Sequence, residues 1–320
     1  MNRRWVGLFS VGALGFTLLA TPLAAAPAGA SDSGPAVVGH SSARIVGGGV
    51  TNRAKTPWFI NLDVLWRDGS HHLCGGSAIG RNWILTAAHC LYNSRDYGMW
   101  RSRGARTQRH GRDLVLVGKS GSRAYVNPRS LSSLGRGIYW SRVVLAPGYV
   151  DGKVPVRADL ALIQTKTPLM GAKTIPYSSF TAGPAAGTFY ATYGFGLTVA
   201  GGTQPSQVLK TATIFDRSGT SPDGCGYLSE HYVNGEHPYL PRETICAGQL
   251  AEGTDSCQGD SGGPLTTLGG RPVQVGVVAW GLGCGGGKDW PGLYTRISTY
   301  STWIKAVSKI KSGARPTLIR

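Results

Sequence analysis

The sequence predicts an all-β fold, a sandwich or a barrel, on the strength of three observations. Short runs rich in β-branched and aromatic residues recur along the chain and are separated by Gly, Pro, Asn and Asp. Glycine is abundant, with 48 among 320 residues, which is typical of many tight turns between short strands. Apolar residues at helical spacing occur only near the C-terminal end. Together these features favour strands joined by turns over a helical or alternating α/β fold.

The strand-forming runs follow one another in chain order and share high β-propensity. They are Trp58–Leu65, Trp83–Thr86, Asp113–Val117, Val143–Leu145, Leu160–Gln164, Thr188–Tyr193, Lys210–Phe215 and Val273–Trp280. From Ser298 onward, Trp303, Ile304 and Val307 recur at helical spacing and predict one C-terminal helix. The length allows one large domain or two small ones, and 41% apolar residues suit a packed core.

The N-terminus is typical of an export signal. Arg3 and Arg4 precede an uncharged run that begins at Trp5 and ends in Ala28-Gly29-Ala30, a small-residue cleavage pattern. A membrane anchor is the alternative, because about 20 apolar residues can span a bilayer. Toward its end the run becomes less apolar, with Thr, Pro, Ala and Gly, and no charged residue follows it directly to stop transfer through the membrane. No other segment of the sequence is apolar enough to span a bilayer. We therefore expect residues 1–30 to be a signal peptide and the mature protein to be secreted, extracellular and without a membrane span.

A short polar segment follows the signal. Residues 31–44 are rich in Gly, Ala, Ser and Pro, and they end at Arg44, a basic cleavage point before the apolar pair Ile45-Val46. We interpret 31–44 as a pro-segment and 45–320 as the structured domain.

The chain contains six cysteines, and export to an oxidising compartment would allow them to form disulfides. They are Cys74, Cys90, Cys225, Cys246, Cys257 and Cys284. An even count outside the cytosol predicts three disulfides but leaves their connectivity open. Zinc binding is the alternative, and it is disfavoured because the sequence has no Cys-x-x-Cys and no paired Cys/His cluster. We expect no metal ion and no cofactor.

The charge is strongly positive, with a formal net charge of +17, and it is concentrated in residues 95–142. This stretch holds eleven Lys and Arg residues against Asp96 and Asp113. One reading is a patch that contacts an acidic substrate, a cell wall or another polyanion. The other is a solvated loop, which we favour because aromatic residues are not regularly interleaved as stacking platforms would be. No specific nucleic-acid binding is expected.

A nucleophile candidate lies in Gly259-Asp260-Ser261-Gly262-Gly263-Pro264. Small neighbours leave the Ser261 hydroxyl approachable and let backbone N–H groups point at a substrate oxygen. The Gly-x-Ser-x-Gly pattern also occurs at the nucleophile elbow of α/β-hydrolases, which place their histidine after the serine. None of the seven histidines here follows Ser261, so that class is excluded unless the match is accidental.

A base and an acid are also present, since a serine hydroxyl needs a base to become a good nucleophile. His89 follows the apolar run at Trp83–Thr86 and lies among small residues beside Cys90, whereas a lone histidine at a strand end is usually structural. Asp159 precedes the apolar run that begins at Leu160, where an aspartate is more often a cap. The order His, Asp, Ser matches one known triad architecture.

Several independent motifs now agree in order. They are Ile45-Val46-Gly47-Gly48, Thr86–Cys90, Asp159-Leu160-Ala161-Leu162, Asp255–Pro264 and Trp280-Gly281-x-Gly283-Cys284. Through them the chain resembles the trypsin-like serine proteases of the chymotrypsin family from about Ile45 to Val307. The resemblance implies two antiparallel six-stranded β-barrels with a C-terminal helix, the first barrel supplying His89 and Asp159 and the second Ser261. It also implies a monomeric endopeptidase.

The resemblance assigns roles around the nucleophile. His89 would be the base, Asp159 would orient it, and the N–H groups of Gly259 and Ser261 would form the oxyanion hole. Cleavage between Arg44 and Ile45 would free an α-amine that pairs with Asp260. The implied disulfides are Cys74–Cys90, Cys225–Cys246 and Cys257–Cys284.

The resemblance also implies cleavage after Arg or Lys. Asp255 matches the base of the family's specificity pocket, Ser256 would add a polar contact there, and Gly281 and Gly292 match positions that keep the walls open. An exposed turn residue is the alternative reading of Asp255. Protein or peptide substrates with Arg or Lys before the cut bond would be the partners.

Two departures from the family's pattern stand out. Ala279 occupies a position where the family usually has a serine that donates to the triad aspartate. No glutamate lies between His89 and Asp159, so no calcium site of the family's loop type is expected. Two rival functions stay open: a non-catalytic homologue that binds through 95–142, and a cationic surface protein whose proteolysis is incidental.

Overall fold

The computed structural model describes part of the chain. The described residues are 47–66, 69–92, 106–110, 113–117, 121–150, 157–180, 186–218, 225, 239–281, 283–286 and 291–311, with only the backbone for 106–110 and 113–117. The predicted signal peptide, the pro-segment, Arg44 and Ile45 lie outside these residues, and so does much of the basic stretch. None of the described helices is both long and apolar enough to cross a membrane.

Short strands dominate the described residues. They are β1 (Gly49–Val50), β2 (Phe59–Leu65), β3 (His71–Gly80), β4 (Trp83–Thr86), β5 (Arg106–His110), β6 (Asp113–Val117), β7 (Arg123–Val126), β8 (Trp140–Leu145), β9 (Ala161–Thr165), β10 (Phe189–Gly194), β11 (Lys210–Asp216), β12 (Thr244–Gly248), β13 (Pro264–Thr267), β14 (Gln274–Trp280) and β15 (Gly292–Arg296). A short 3-10 helix spans Arg53–Lys55, and one α-helix, α1, spans Ile297–Ser308. The predicted all-β fold with a C-terminal helix is confirmed.

The C-terminal half forms a closed antiparallel barrel. Its strands pair in the order β11-β10-β13-β14-β15-β12, the pairing of β11 with β12 closes it, and β1 extends β11 at the edge. Inward residues such as Tyr190, Ile214, Leu265 and Tyr294 are buried in one core cluster. Closure satisfies the backbone groups that an open sheet edge would leave unpaired.

The N-terminal half forms an eight-stranded antiparallel sheet in the order β7-β2-β3-β4-β9-β8-β6-β5. A single bridge between Ala124 and Ile138 connects β7 to the segment just before β8, so six of the strands curl toward a barrel. The β5–β6 hairpin adds two further strands beside β8 and lies inside the basic stretch. Ile297 and Ile304 of α1 belong to the core cluster of this half.

Three disulfides connect the described cysteines as the resemblance implied: Cys74–Cys90, Cys225–Cys246 and Cys257–Cys284. The first ties β3 to the residue beside His89, and the third ties the segment before Ser261 to the segment after β14. Cross-links of this length typically stabilise a fold by about 2–4 kcal/mol.

Candidate active site

Strand pairing brings His89 and Asp159 together. His89 follows β4 and Asp159 precedes β9, and the two strands pair so that Thr86 lies opposite Ala161. The end of one strand therefore lies beside the start of the other. His89 Nδ1 is 2.7 Å from Asp159 Oδ2, and the His89 backbone N–H donates to Asp159 Oδ1 at 2.9 Å. The Asp159 side chain is fully buried while that of His89 is 30% exposed, so the imidazole faces the surface with a fixed orientation.

The Asp159 carboxylate depends on His89 for its hydrogen bonds. Within the described residues, both bonds that it accepts come from His89, and the Asp159 backbone carbonyl accepts from Thr295 Oγ1 at 2.8 Å. Ala279 lies on β14 and offers no side-chain donor, in keeping with the departure noted in the sequence.

The Ser261 loop packs backbone to backbone against the strands that lead to His89. The Gly75 N–H on β3 donates to the Ser261 carbonyl at 2.7 Å. Gly262 has φ +76°, and a Cβ atom there would lie 2.2 Å from Thr86 Oγ1. Thr86 precedes His89 by three residues. Only glycine fits this approach, which brings Ser261 to the histidine loop.

Two backbone N–H groups beside Ser261 are available to a ligand. Within the described part of the chain, neither Gly259 nor Ser261 donates its N–H to an acceptor, whereas the intervening Asp260 donates to the Cys257 carbonyl at 2.9 Å. Gly259 has φ +94°, and a Cβ atom there would lie 3.0 Å from Gly196 Cα. Such a left-handed turn, with free donors on either side of one residue, suits an oxyanion.

A buried carboxylate lies six residues before Ser261. Asp255 is 2% exposed, which disfavours its reading as an exposed turn residue. Its Oδ1 accepts from the Ser256 N–H at 2.7 Å, and a Cβ atom at Gly292 would lie 3.1 Å from the same oxygen. Burial raises the pKa of Asp255 to about 7. No described cation forms an ion pair with it, so a cationic ligand would relieve the cost of burying the ionised form.

Tyr294 is a pocket residue that sequence reasoning missed. It lies on β15, and its hydroxyl is 3.1 Å from Ser256 Oγ. A Cβ atom at Gly292 would also lie 3.0 Å from this hydroxyl. Nothing in the sequence marks this tyrosine, because only the curvature of the barrel brings it beneath Asp255. Gly281, the other predicted wall residue, is half-buried.

Asp260 is fully buried, and only backbone groups contact its carboxylate among the described residues. Its Oδ1 accepts from the Gly196 N–H at 2.7 Å and its Oδ2 from the Cys257 N–H at 2.9 Å. Burial raises its pKa to about 7. A Cβ atom at Gly194 would lie 1.9 Å from Asp260 Oδ1, and one at Gly196 would lie 2.5 Å from Asp260 Cγ. The close approach of the carboxylate therefore needs glycine at both positions, neither of which the sequence analysis singled out.

The described chain begins against the loop that precedes Asp255. Gly47, two residues after Ile45, has φ +68°, and a Cβ atom there would lie 1.9 Å from the Gly253 carbonyl oxygen. β1 then pairs with β11 of the closed barrel. The segment that follows the predicted cleavage point therefore lies on the barrel that carries Asp260.

The basic stretch is described only in part. The Arg123 guanidinium lies 3.6 Å from the centre of the Tyr139 ring, in a cation–π contact. The arginines between 95 and 112 lie outside the described side chains. Polyanion contact through 95–142 therefore stays a prediction.

Comparison with known proteins identifies the family to which this chain belongs. A sequence model of the family described as Trypsin matches residues 45–304, beginning at the residue predicted to become the new N-terminus. Serine protease 56 of Homo sapiens is 31% identical over 309 residues, covering 94% of this chain and 44% of that protein. The Suppressor of tumorigenicity 14 protein homolog of Bos taurus is 32% identical over 270 residues, covering 82% and 28% respectively.

Serine protease 56 of Mus musculus is 31% identical over 296 residues, covering 90% of this chain and 42% of that protein. The chain therefore spans less than half the length of these curated relatives.

Proposed function

Because the chain belongs to the trypsin family of serine endopeptidases, we propose that it hydrolyses peptide bonds after Arg or Lys, with His89, Asp159 and Ser261 as its triad. The observation that carries this specificity is Asp255, a carboxylate 2% exposed and beside Gly292. A long cationic side chain is the ligand that such a site stabilises.

The proposed reaction is the one established for this triad. His89 Nε2 accepts the proton of Ser261 Oγ as that oxygen attacks the scissile carbonyl carbon. The resulting oxyanion accepts hydrogen bonds from the backbone N–H groups of Gly259 and Ser261. His89 then gives its proton to the leaving amine, and water hydrolyses the acyl-enzyme by the same base and donors.

The hydrogen bond between His89 Nδ1 and Asp159 Oδ2, at 2.7 Å, suits the orienting role. It favours the tautomer in which Nε2 carries no proton and can accept one, and the buried carboxylate stabilises the imidazolium that forms. This contact favours a catalytic protein over the rival reading as a non-catalytic binding homologue, because a binding protein would not need a buried carboxylate to orient a surface histidine.

The first prediction concerns the pH dependence of cation binding by the processed enzyme. Since the pKa of Asp255 is about 7, its carboxyl group is mostly neutral below that pH and ionised above it. Benzamidine, an aromatic amidinium, should bind the ionised form, so its inhibition constant should fall about tenfold per pH unit up to about pH 7 and then level off.

The measurement is competitive inhibition between pH 5 and 9, corrected for the pH dependence of turnover. Phenol, a neutral ligand of similar shape, is the control and should show no such slope. A benzamidine constant independent of pH would contradict the assignment of Asp255 as its partner.

We further propose that the protein is secreted as a zymogen and activated by cleavage between Arg44 and Ile45. The freed Ile45 amine would pair with Asp260, whose buried carboxylate accepts only backbone N–H groups among the described residues. Gly47, two residues after Ile45, packs against Gly253, seven residues before Asp260 in the chain. The pair would fix the Cys257–Ser261 turn and with it the oxyanion donors. The enzyme's own specificity would accept Arg44, so self-activation is part of the proposal.

Arg44→Gln should therefore leave the secreted chain unprocessed, and its hydrolysis of Arg amides should be about 100-fold lower or more. N-terminal sequencing and initial rates check this, with Lys55→Gln, an exposed basic residue nearby, as the control. Activity of the processed enzyme should also fall as pH rises through the pKa of the Ile45 amine, which pairing raises above its ordinary 7.7–8.0. Full activity of the unprocessed chain would refute the proposal.

A further inference from the structure

The turn before Asp159 contains an alanine in the left-handed region. Ala158 has φ +50° and is 3% exposed. The other described non-glycine residues with positive φ are Asn127, whose residue type tolerates this region, and Lys309, which ends a helix. For an alanine inside a turn this conformation costs free energy because Cβ crowds the following carbonyl oxygen. Its persistence beside a catalytic residue requires that the surroundings hold it.

The surroundings supply a buried tyrosine. The Tyr300 hydroxyl donates a hydrogen bond to Glu243 Oε2 at 3.0 Å, and the Ala158 backbone N–H faces the same hydroxyl oxygen. Arg157 Nη1 lies 3.3 Å from Glu243 Oε1. Burial, together with the Glu243 carboxylate, raises the pKa of Tyr300, so its hydroxyl stays protonated and can donate to Glu243.

These contacts join three elements. Arg157 and Ala158 belong to the turn before β9, Glu243 directly precedes β12, and Tyr300 lies on α1. Glu243 is itself fixed, since its N–H donates to the Leu240 carbonyl at 2.9 Å and its carbonyl accepts from the Arg296 N–H at 2.8 Å. Residues of the C-terminal barrel and of α1 therefore contact the turn before β9 in the N-terminal half, and Glu243 is held in place by its own backbone hydrogen bonds.

We propose that Tyr300 and Glu243 are positioning residues for the triad: they hold the 157–159 turn in its strained conformation, so that Asp159 keeps both hydrogen bonds to His89. The inference rests on the proposed triad. If Ala158 relaxed to a negative φ, the peptide entering Asp159 would rotate and the carboxylate would move away from the imidazole. Both hydrogen bonds to the carboxylate come from His89, and the Thr295 hydroxyl holds only the Asp159 backbone carbonyl, so no other described side-chain donor fixes the carboxylate itself.

The test is Tyr300→Phe, with Tyr177→Phe as the matched control. Tyr177 is also buried, and its hydroxyl donates to the Ile310 carbonyl at 2.8 Å, so it anchors the residues just after α1 without touching the 157–159 turn. Both substitutions remove one tyrosine hydroxyl and should lower Tm. Only Tyr300→Phe should lower kcat, by about 10- to 100-fold, because a small misplacement of a catalytic group has effects of that size. KM should stay nearly constant.

Rescue separates positioning from a loss of stability. Ala158→Gly removes the Cβ conflict, so the turn no longer needs to be held, and adding this substitution to Tyr300→Phe should restore much of kcat. The same substitution added to Tyr177→Phe should leave kcat unchanged. In Tyr300→Phe the downfield proton resonance of the His89 Nδ1–H to Asp159 hydrogen bond should shift or broaden, and in Tyr177→Phe it should not.

The proton resonance does not depend on turnover, so it tests the network even if the protein proves to be catalytically inactive. Inactivity of the unsubstituted, processed chain would refute the proposed function and leave this readout intact. Equal kcat in the two tyrosine variants, or an unshifted His89 resonance in Tyr300→Phe, would overturn the positioning role.

Discussion

Replacing Ser261 with alanine is expected to lower kcat for Arg-ended peptide amides by about 10⁵- to 10⁶-fold, with little change in Tm. The triad acts as a unit, so removal of the nucleophile abolishes the acyl-enzyme route, and only the weak catalysis from the donors and the binding site remains. The Ser261 hydroxyl makes no hydrogen bond within the described residues that its loss would leave unsatisfied, so the fold should survive. The measurement is steady-state hydrolysis by protein processed at Ile45, with pre-steady-state detection of the acyl-enzyme burst.

Ser133→Ala, at an exposed serine far from the site in sequence, is the matched control and should leave both the burst and kcat unchanged. A burst that survives in Ser261→Ala would show that another residue is the nucleophile. If the unsubstituted, processed protein hydrolyses nothing, the function shifts to the binding homologue. In that case Ala279→Ser is the first change to make, because it offers the Asp159 carboxylate a third donor.

Asp255→Ser is expected to reduce kcat/KM for Arg and Lys substrates by about 10⁴-fold while leaving the low rate on Phe substrates nearly unchanged. A site built around one buried charge discriminates strongly, because the substrate cation would otherwise be desolvated without a partner. Serine keeps a polar group beside Ser256 and Tyr294, so the pocket should stay folded. The measurement is kcat/KM for matched Arg, Lys and Phe amides.

Glu252→Gln removes an exposed carboxylate three residues earlier and provides the control for a general electrostatic effect. It should change kcat/KM for Arg substrates by less than about twofold, since exposed charges are screened. If Asp255→Ser and Glu252→Gln behave alike, the loss of one negative charge in this part of the protein, and not the loss of a pocket residue, would explain the effect on cationic substrates.

Local patterns in the sequence predicted several of the strands, and they missed others such as β7, β12 and β15. The run at Trp83–Thr86 coincides with β4, and Val273–Trp280 differs from β14 by one residue, because each run alternates or buries β-branched side chains in a way that local propensity detects. No pattern predicted β3, whose centre holds Gly75 and Gly76. Glycine weakens strand propensity, yet a Cβ atom at Gly75 would lie 2.7 Å from Gly263 Cα. Contact with the Ser261 loop therefore overrides propensity there.

The residues of the candidate site also fall into those that sequence motifs predicted and those that only the structure revealed. His89, Asp159, Asp255, Asp260 and Ser261 were found because their neighbours in the chain form motifs. Tyr294, Tyr300, Glu243 and Gly194 escaped detection, since their importance arises from atoms far away in sequence. Tyr300 lies more than a hundred residues from Ala158, whose N–H faces its hydroxyl, and no local spacing encodes that proximity.

By itself, then, the sequence determined the fold class, the family, the cysteine pairing through resemblance and the identities of the candidate triad. Short motifs in the chain encode these features, because the tendency to form a strand or a turn, and the small neighbours that a nucleophile needs, depend on residues close in sequence. Only the tertiary structure decided that Asp255 is buried without a described cation, that the N–H groups of Gly259 and Ser261 have no acceptor among the described residues, and that Ala158, directly before Asp159, has a left-handed backbone. Burial, desolvation and strain depend on which distant atoms surround a group, and chain folding alone sets those neighbours.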